Sequence, residues 1–300
     1  MSQENPIPNR IPDIVPRRPR SMEQSIGAIL VDSGRLTILD AEEIARLQKE
    51  MGLSFGDAGV SLGLLSAADI DFALSRQYDY PYLVNGIETQ VSKELVAALM
   101  PFSAPVESLR ALRSQLSLRW FSKPENGHVL AIIGPQRGDG RSYLAANLAI
   151  VFSQLGQQRT LLIDADMRQP RQHELFGLDN SNGLSSVLSG RRRLDSIRRV
   201  DHFANLSILT AGPRAPNPQE LLGRNAFPAL LDECDAEFDV VIIDTPAGND
   251  YADAQSICAL AGGAILTARR DHTNLDDANR MSADITRYGV QVLGVVLSEF

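Results

Sequence analysis

The sequence predicts an α/β protein in which a mostly parallel sheet, with helices on both faces, follows a small helical repeat domain. Three observations carry this. From His128 onward, short apolar runs alternate with segments of helical period, and connections of that length join parallel neighbours by right-handed crossovers. The first run, Val129 to Ile133, leads directly into a Gly-rich loop. Ahead of it, residues 25–77 hold two copies of one 24-residue pattern, the signature of repeated supersecondary units.

With 300 residues, 44% hydrophobic, the chain is long enough for more than one core. Its formal net charge of −8 argues against a general nucleic-acid binder, so no nucleic-acid partner is expected. Arg191, Arg192, Arg193, Arg198 and Arg199 form a local basic patch, read either as a solvated surface or as a face for an acidic partner or anionic membrane. Cys234 and Cys258 lack metal-ligand spacing, and His128, His173, His202 and His272 lie far apart, so neither a disulfide framework nor a zinc site is indicated. No stretch approaches the ~18–20 apolar residues of a membrane span, and the N-terminus lacks a secretory apolar core. The expectation is a cytoplasmic protein.

Residues 1–22 are rich in proline and arginine and read as a disordered tail. The helical domain is expected over 23–83. Its first copy runs from Ser25-Ile26-Gly27 through Leu30, Gly34 and Leu36 to Gln48, and its second from Ser54-Phe55-Gly56 through Gly63 and Leu65 to Gln77. Each reads as a short helix, a Gly-containing turn and a second helix. Residues 84–122 form a linker with a short helix over 93–99 and an oligomerisation helix. On that helix Glu107, Arg110 and Arg113 share one side, and Leu109, Leu112 and Leu116 another. Tyr78, Tyr80 and Tyr82, just before this linker, alternate as in a packed strand or linker. In the last domain, 123–300, strands are expected at 129–133, 160–163, 206–210, 239–243, 263–267 and 291–297, with helices at 143–155, 218–233, 251–260 and 275–288.

The loop reads Gly134-Pro135-Gln136-Arg137-Gly138-Asp139-Gly140-Arg141-Ser142. Its glycines let backbone N–H groups turn inward, and the helix start behind them favours phosphate. Gly138, Asp139, Gly140, Arg141, Ser142 and Tyr143 are therefore the candidate nucleotide contacts, with Ser142 the magnesium ligand. Arginine stands at 141, where such loops place lysine. It keeps the charge but is bulkier and planar, which makes nucleotide binding better supported than catalysis. Two more apolar runs end in carboxylates, at Asp164-Ala165-Asp166 and at Asp244-Thr245-Pro246. In a parallel sheet these tips share one edge with the loop. Oxygen ligands there suit magnesium, and a second carboxylate can take a proton from an incoming hydroxyl.

This set of motifs resembles the bacterial tyrosine kinases of exopolysaccharide systems, a branch of the MinD/ParA-like P-loop ATPases. The resemblance covers about 105–300 and rests on the loop, on Asp164 to Arg168, on Pro216 to Leu222 and on the Glu107, Arg110, Arg113 stripe. The chain is most similar to the EpsG-type chain-length determinant kinases, which also carry an N-terminal repeat module. The resemblance implies a P-loop NTPase sheet, ATP and Mg2+ as cofactors, and Asp164 and Asp166 as catalytic aspartates, with Asp164 activating a tyrosine hydroxyl. It implies that Arg141 meets the phosphates, that Ser142, Asp164 and Asp244 organise magnesium, and that the stripe packs subunits into a homo-oligomer. It also implies a peripheral place at the inner membrane through an integral-membrane polysaccharide chain-length determinant.

The repeat resembles the MshEN-like N-terminal domain of type II secretion ATPases, whose paired 24-residue motifs bind cyclic di-GMP. That resemblance implies ligand positions at Gly27, Leu30, Gly34, Gln48, Gly56, Gly63 and Gln77; a docking module whose glycines serve turns is the alternative. Departures from these patterns are Ser25 and Ser54 in place of a leading arginine, Arg141 for lysine, Ser298 for an adenine-reading asparagine, and no tyrosine beyond Tyr288. The main expectation is an ATP-dependent tyrosine kinase or ATPase regulating exopolysaccharide chain length, polymerisation or export. The alternative is a nucleotide-gated oligomerising regulatory module with little or no kinase activity. A partitioning ATPase is disfavoured, because the chain has neither a general basic surface nor a C-terminal amphipathic helix.

Overall fold

The computed structural model describes residues 25–77, 91–156, 158–191, 196–203 and 205–299. The expected tail, Tyr78, Tyr80, Tyr82, Arg192 and Arg193 lie outside the described residues. The chain divides into two compact units, residues 1–79 and 80–300.

The first unit contains α1 (Ile26–Asp32), α2 (Ile38–Met51), α3 (Phe55–Ser61) and α4 (Ala67–Gln77). The two sequence copies fold alike. Ser25 caps α1 by accepting the Ala28 N–H, and Ser54 caps α3 by accepting the Asp57 N–H, so both serines satisfy helix-end donors. Gly34 and Gly63 turn the chain at φ 71° and 69°, a left-handed conformation that strains any side chain. Gly27 and Gly56 serve close packing: a Cβ on Gly27 would lie 2.9 Å from the Phe55 ring, and one on Gly56 3.0 Å from Ile70. Leu30, Ile44, Ala58 and Ala73 form a fully buried centre, while Gln48 and Gln77 are half-buried.

The second unit is built on a seven-stranded sheet. Its strands are β1 (Val129–Ile133), β2 (Thr160–Asp164), β3 (Arg198–Arg199), β4 (Leu206–Leu209), β5 (Val240–Asp244), β6 (Gly263–Arg269) and β7 (Gln291–Ser298). They lie in the order β3-β4-β2-β5-β1-β6-β7. Every pairing is parallel except that of β3 with β4. All residues of β1, β2 and β5 are buried, as strands covered on both faces must be. Val129, Ala131, Ile133, Leu161, Ile163, Val241 and Ile243 face a layer containing α9 (Leu184–Leu188), α10 (Pro218–Leu222), α11 (Ala226–Glu237), α12 (Asp253–Ala261) and α13 (Leu275–Arg287). Their alternates Leu130, Ile132, Leu162, Val240 and Ile242 face α5 (Val96–Leu99), α6 (Ala104–Leu116), α7 (Arg141–Ser153) and α8 (Gln172–Phe176).

Several boundaries differ from the sequence reading. The helix expected over 218–233 is two helices, broken at Gly223, and the one expected over 93–99 is only α5. Helix α7 starts at Arg141, inside the phosphate loop motif. Strand β3, with two residues, and α8 and α9, with five each, are too short to show a period. Beyond α6 the chain continues as a π-type turn over Ser117–Phe121. There the Trp120 indole N–H donates to the Val129 carbonyl at 3.0 Å, and its ring lies where a Cβ on Gly263 would be, 2.5 Å away. Among the described residues no helix is long and apolar enough to cross a membrane.

Candidate nucleotide-binding site

Strand β1 ends at Ile133 and the Gly-rich loop carries the chain to α7, with Gly138 and Gly140 at φ 83° and 88°. These left-handed turns let consecutive N–H groups face one point, and the first turn of the 13-residue α7 adds its unpartnered donors. The loop is held from behind. The carboxylate of Asp139, fully buried, accepts the Gln136 N–H at 2.6 Å and the Thr273 hydroxyl at 2.5 Å. His272 Nε2 donates to the Arg137 carbonyl at 2.7 Å, and Thr267 donates to the Ile133 carbonyl at 3.0 Å. Asp139 is thus a strut, and the part of it that can meet phosphate is its main chain. The buried Arg141 guanidinium also turns onto backbone: Nε donates to the Thr245 carbonyl at 2.9 Å, and Nη1 to the carbonyls of Gln136 at 2.5 Å and Gly134 at 3.3 Å.

Asp164 and Asp244 are register partners at the ends of β2 and β5, both fully buried. Asp164 accepts three main-chain N–H groups, from Asp166 at 3.2 Å, Arg171 at 3.0 Å and Gln172 at 2.9 Å. Asp244 Oδ2 accepts the Gln172 side-chain amide at 2.7 Å, and the Ser142 hydroxyl also bonds this carboxylate. Its other oxygen, Oδ1, is buried without a partner. Burial, and then the charge of Asp244, push the Asp164 carboxyl well above the usual carboxylate range. Burial likewise raises Asp244 to about 6, against the opposing pull of Gln172, Ser142 and Arg141.

An orphaned carboxylate oxygen beside a serine hydroxyl and a second buried carboxylate is a donor set that fits Mg2+. Among the described residues no three His, Cys, Asp or Glu side chains converge as a metal cluster. Magnesium is commonly bound through one or two carboxylates plus substrate phosphates.

A cleft of about 320 Å³ opens against the loop, lined by Gly138, Gly140, Arg141, Ser142, Tyr143 and Asp166 and also by Glu94 and Arg171. Asp166, nearly buried, accepts the N–H groups of Arg168 at 3.1 Å and Gln169 at 2.8 Å. It lies two residues beyond the strand end, which is why it reaches the cleft wall while Asp164 stays inside the ladder. The stripe on α6 lies apart from the cleft. Glu107 and Arg110 pair with each other, and Arg113 donates to the Val151 carbonyl on α7 at 2.6 Å. Ser298, at the end of β7, donates to the Ala268 carbonyl at 3.3 Å.

Two residues absent from the sequence reading organise the site. Gln172 joins Asp164, Asp244 and the Ser142 carbonyl, the last at 3.1 Å. Asn147, fully buried in α7, accepts the Ala97 N–H and donates to the Glu94 and Tyr143 carbonyls, each at 2.9 Å. It pins the 94–97 segment to the loop helix and so carries Glu94, paired with Arg171 at 2.8 Å, to the cleft. A lone amide within the apolar run of α7 was the available signal for Asn147; Gln172 had none.

No protein-family model matches the chain. It is 34% identical over 200 residues to the putative tyrosine-protein kinase CapB of Staphylococcus aureus, covering 66% of this chain and 86% of that protein. It is 33% identical over 215 residues to the tyrosine-protein kinase Wzc of Salmonella typhimurium, covering 72% of this chain but only 30% of the relative. Among solved structures, the chimerical protein CapA2B2 matches at TM-score 0.63 and 34% identity, over 75% of this chain and 96% of that one. The kinase domain of the Escherichia coli tyrosine kinase Etk matches at TM-score 0.66 and 29% identity, over 72% and 84%. The septum site-determining protein MinD of Pyrococcus horikoshii, solved with Mg-ADP, matches at TM-score 0.50 and 25% identity, over 57% and 69%. The sheet and its Gly-rich loop are those of a P-loop nucleotide-binding fold, and with a relative of this identity covered over most of its length the chain belongs to the bacterial tyrosine-protein kinases.

Proposed function

We propose that the chain is an ATP- and Mg2+-dependent enzyme that transfers phosphate to tyrosine, acting in exopolysaccharide chain-length control. The observation that carries this reading is the meeting of the Gly-rich loop, Ser142, Asp164 and Asp244 at one edge of the sheet, with Asp166 open to the adjoining cleft. The loop N–H groups and the start of α7 hold and orient the phosphates. Ser142 and Asp244 would hold Mg2+, which when bound offsets the charge of the phosphates. A tyrosine entering along the cleft meets Asp166. Its oxygen bonds the γ-phosphorus, the phosphorus–oxygen bond to ADP breaks, and its proton passes to the Asp166 carboxylate. Asp164, which the resemblance places at the tyrosine hydroxyl, is fully buried and holds three main-chain N–H groups of the 164–172 segment, so in this reading the proton-acceptor role passes to Asp166, which lines the cleft.

The polysaccharide setting, with an integral-membrane chain-length determinant as partner and a peripheral cytoplasmic location, rests on the resemblance to EpsG-type kinases. Relatives named EpsB, of Ralstonia, and a kinase in the cps region of Klebsiella pneumoniae, each 33% identical, support it. Incubating the full chain with Mg2+ and labelled ATP, with and without the cytoplasmic ends of a candidate partner, is expected to give ADP and phosphotyrosine, both lost in Asp164→Ala. Neither hydrolysis nor transfer in any combination would sink the reading.

One observation favours a second reading, a nucleotide-gated oligomerising module with little turnover: Arg141 is engaged by three backbone carbonyls around the loop. In that case Arg141→Lys raises turnover. The N-terminal unit we read as a docking module, since Ser25 and Ser54 serve as caps and the glycines as turns and close contacts. Cyclic di-GMP binding at Gly27, Leu30, Gly34, Gln48, Gly56, Gly63 and Gln77 is tested by calorimetry on the full chain, where no heat at high ligand concentration removes it.

A further inference from the structure

Gln172 is fully buried, yet it opens α8, eight residues beyond the end of β2, rather than standing in a strand. Its side-chain amide donates twice, to Asp244 Oδ2 at 2.7 Å and to the Ser142 carbonyl at 3.1 Å. The Ser142 carbonyl can only accept, so the orientation of the amide is fixed: a flipped group would set oxygen against oxygen there. Its main-chain N–H meanwhile donates to Asp164 Oδ2 at 2.9 Å. One residue therefore spans the loop helix and both carboxylate-bearing strands. Two buried acceptors in this group lack partners, Gln172 Oε1 and Asp244 Oδ1. Buried oxygens without donors are costly unless something else meets them.

We propose that Gln172 is a positioning residue for the divalent cation: by occupying Asp244 Oδ2 and anchoring the Ser142 turn, it leaves Asp244 Oδ1 and the Ser142 hydroxyl as the cation-facing oxygens. This rests on the reading of the cleft as an Mg-nucleotide site. Residues that hold a ligand's second atom in this way set metal affinity without touching the metal, and their loss weakens it by about 10- to 100-fold. The inference separates Gln172 from the phosphate contacts, which involve the loop and not this side chain. Its removal should lower the contribution of magnesium to nucleotide binding and leave metal-free nucleotide binding alone.

The test is the affinity of a fluorescent ATP analogue for the full chain, measured in chelator and in saturating Mg2+, for the native protein and Gln172→Leu. The native protein is expected to gain affinity with Mg2+. In Gln172→Leu the gain falls by about tenfold or more, the affinity in chelator stays within about twofold, and the Mg2+ concentration at half-effect rises. Gln172→Met, unbranched and of similar length, carries the test if the leucine variant does not fold, since it removes the donor and adds neither charge nor a cation ligand. An unchanged magnesium gain, or equal losses with and without metal, overturns the proposal, as does unfolding of both variants, which would mark Gln172 as a folding residue. If the native protein binds no nucleotide in either condition, the functional reading itself fails.

Discussion

Asp244 is the residue whose proton affinity folding alters in the most readable way. A carboxyl raised from 3.8 to about 6 means that the folded state holds its proton more tightly than the unfolded chain. Stability from that source is full below the unfolded value and is lost as pH rises through about 6. Asp164 is raised in the same direction. The metal-free protein should therefore melt at lower temperature at pH 7.5 than at pH 5, Asp244 contributing roughly 1 kcal/mol of the difference because part of its effect is already lost at pH 5. Mg2+ with nucleotide should reverse the trend, stabilising more at pH 7.5. Thermal melts in chelator and in Mg-nucleotide at the two pH values check this, and Asp244→Asn should flatten the chelator profile while abolishing turnover. At Asp166 the proton-acceptor role leads us to expect a loss of about 100-fold or more in kcat for Asp166→Asn, with nucleotide affinity kept. For Arg141→Lys, a rise in kcat of roughly tenfold would mean that the carbonyl contacts of the guanidinium restrain the loop. An already rapid native rate that the substitution leaves unchanged would set the gated-module reading aside.

At the scale of elements, the parts that could be read from sequence are those whose burial is complete. Strands β1, β2 and β5 are apolar at every interior position and stop at a glycine or an aspartate, so an apolar run followed by a turn or acid located them and their functional tips together. The 24-residue repeat was legible through spacing alone, because caps and left-handed glycines recur whatever the other residues are. Gln172 was not legible: α8, which it opens, is too short to show a period, and its importance comes from the register of β2 with β5. Nor was the direction of Arg141, since charge in a loop motif does not say which oxygens it will meet. Ser54→Ala and Ser25→Ala should each cost about 1 kcal/mol through loss of a helix cap, read as a lower melting temperature of the first unit. Gly183 makes a harsher test. A Cβ there would fall 2.2 Å from the Thr210 carbonyl oxygen and 2.4 Å from the Gly212 nitrogen, backbone atoms that cannot step aside, so Gly183→Ala should destabilise the second unit far more than a lost cap does.

For the whole molecule, assembly and folding can be separated by the α6 stripe. Glu107 pairs with Arg110, and Arg113 bonds α7. Replacing Glu107 and Arg110 by alanine is expected to reduce self-association in sedimentation; Arg113→Ala, which removes the bond to α7, should lower the melting temperature as well. Unchanged sedimentation in the double variant would remove the stripe from the assembly reading. Trp120, wedged over Gly263 and bonded to Val129, is the only tryptophan in the chain. Residues 1–79 contain none. Indole emission is therefore an optical label for the second unit alone, already in place without engineering. Unfolding followed by that emission and by far-ultraviolet dichroism should coincide if the two units melt as one, and part if they do not; a ligand specific to the N-terminal repeat could then be recognised by which of the two curves it moves.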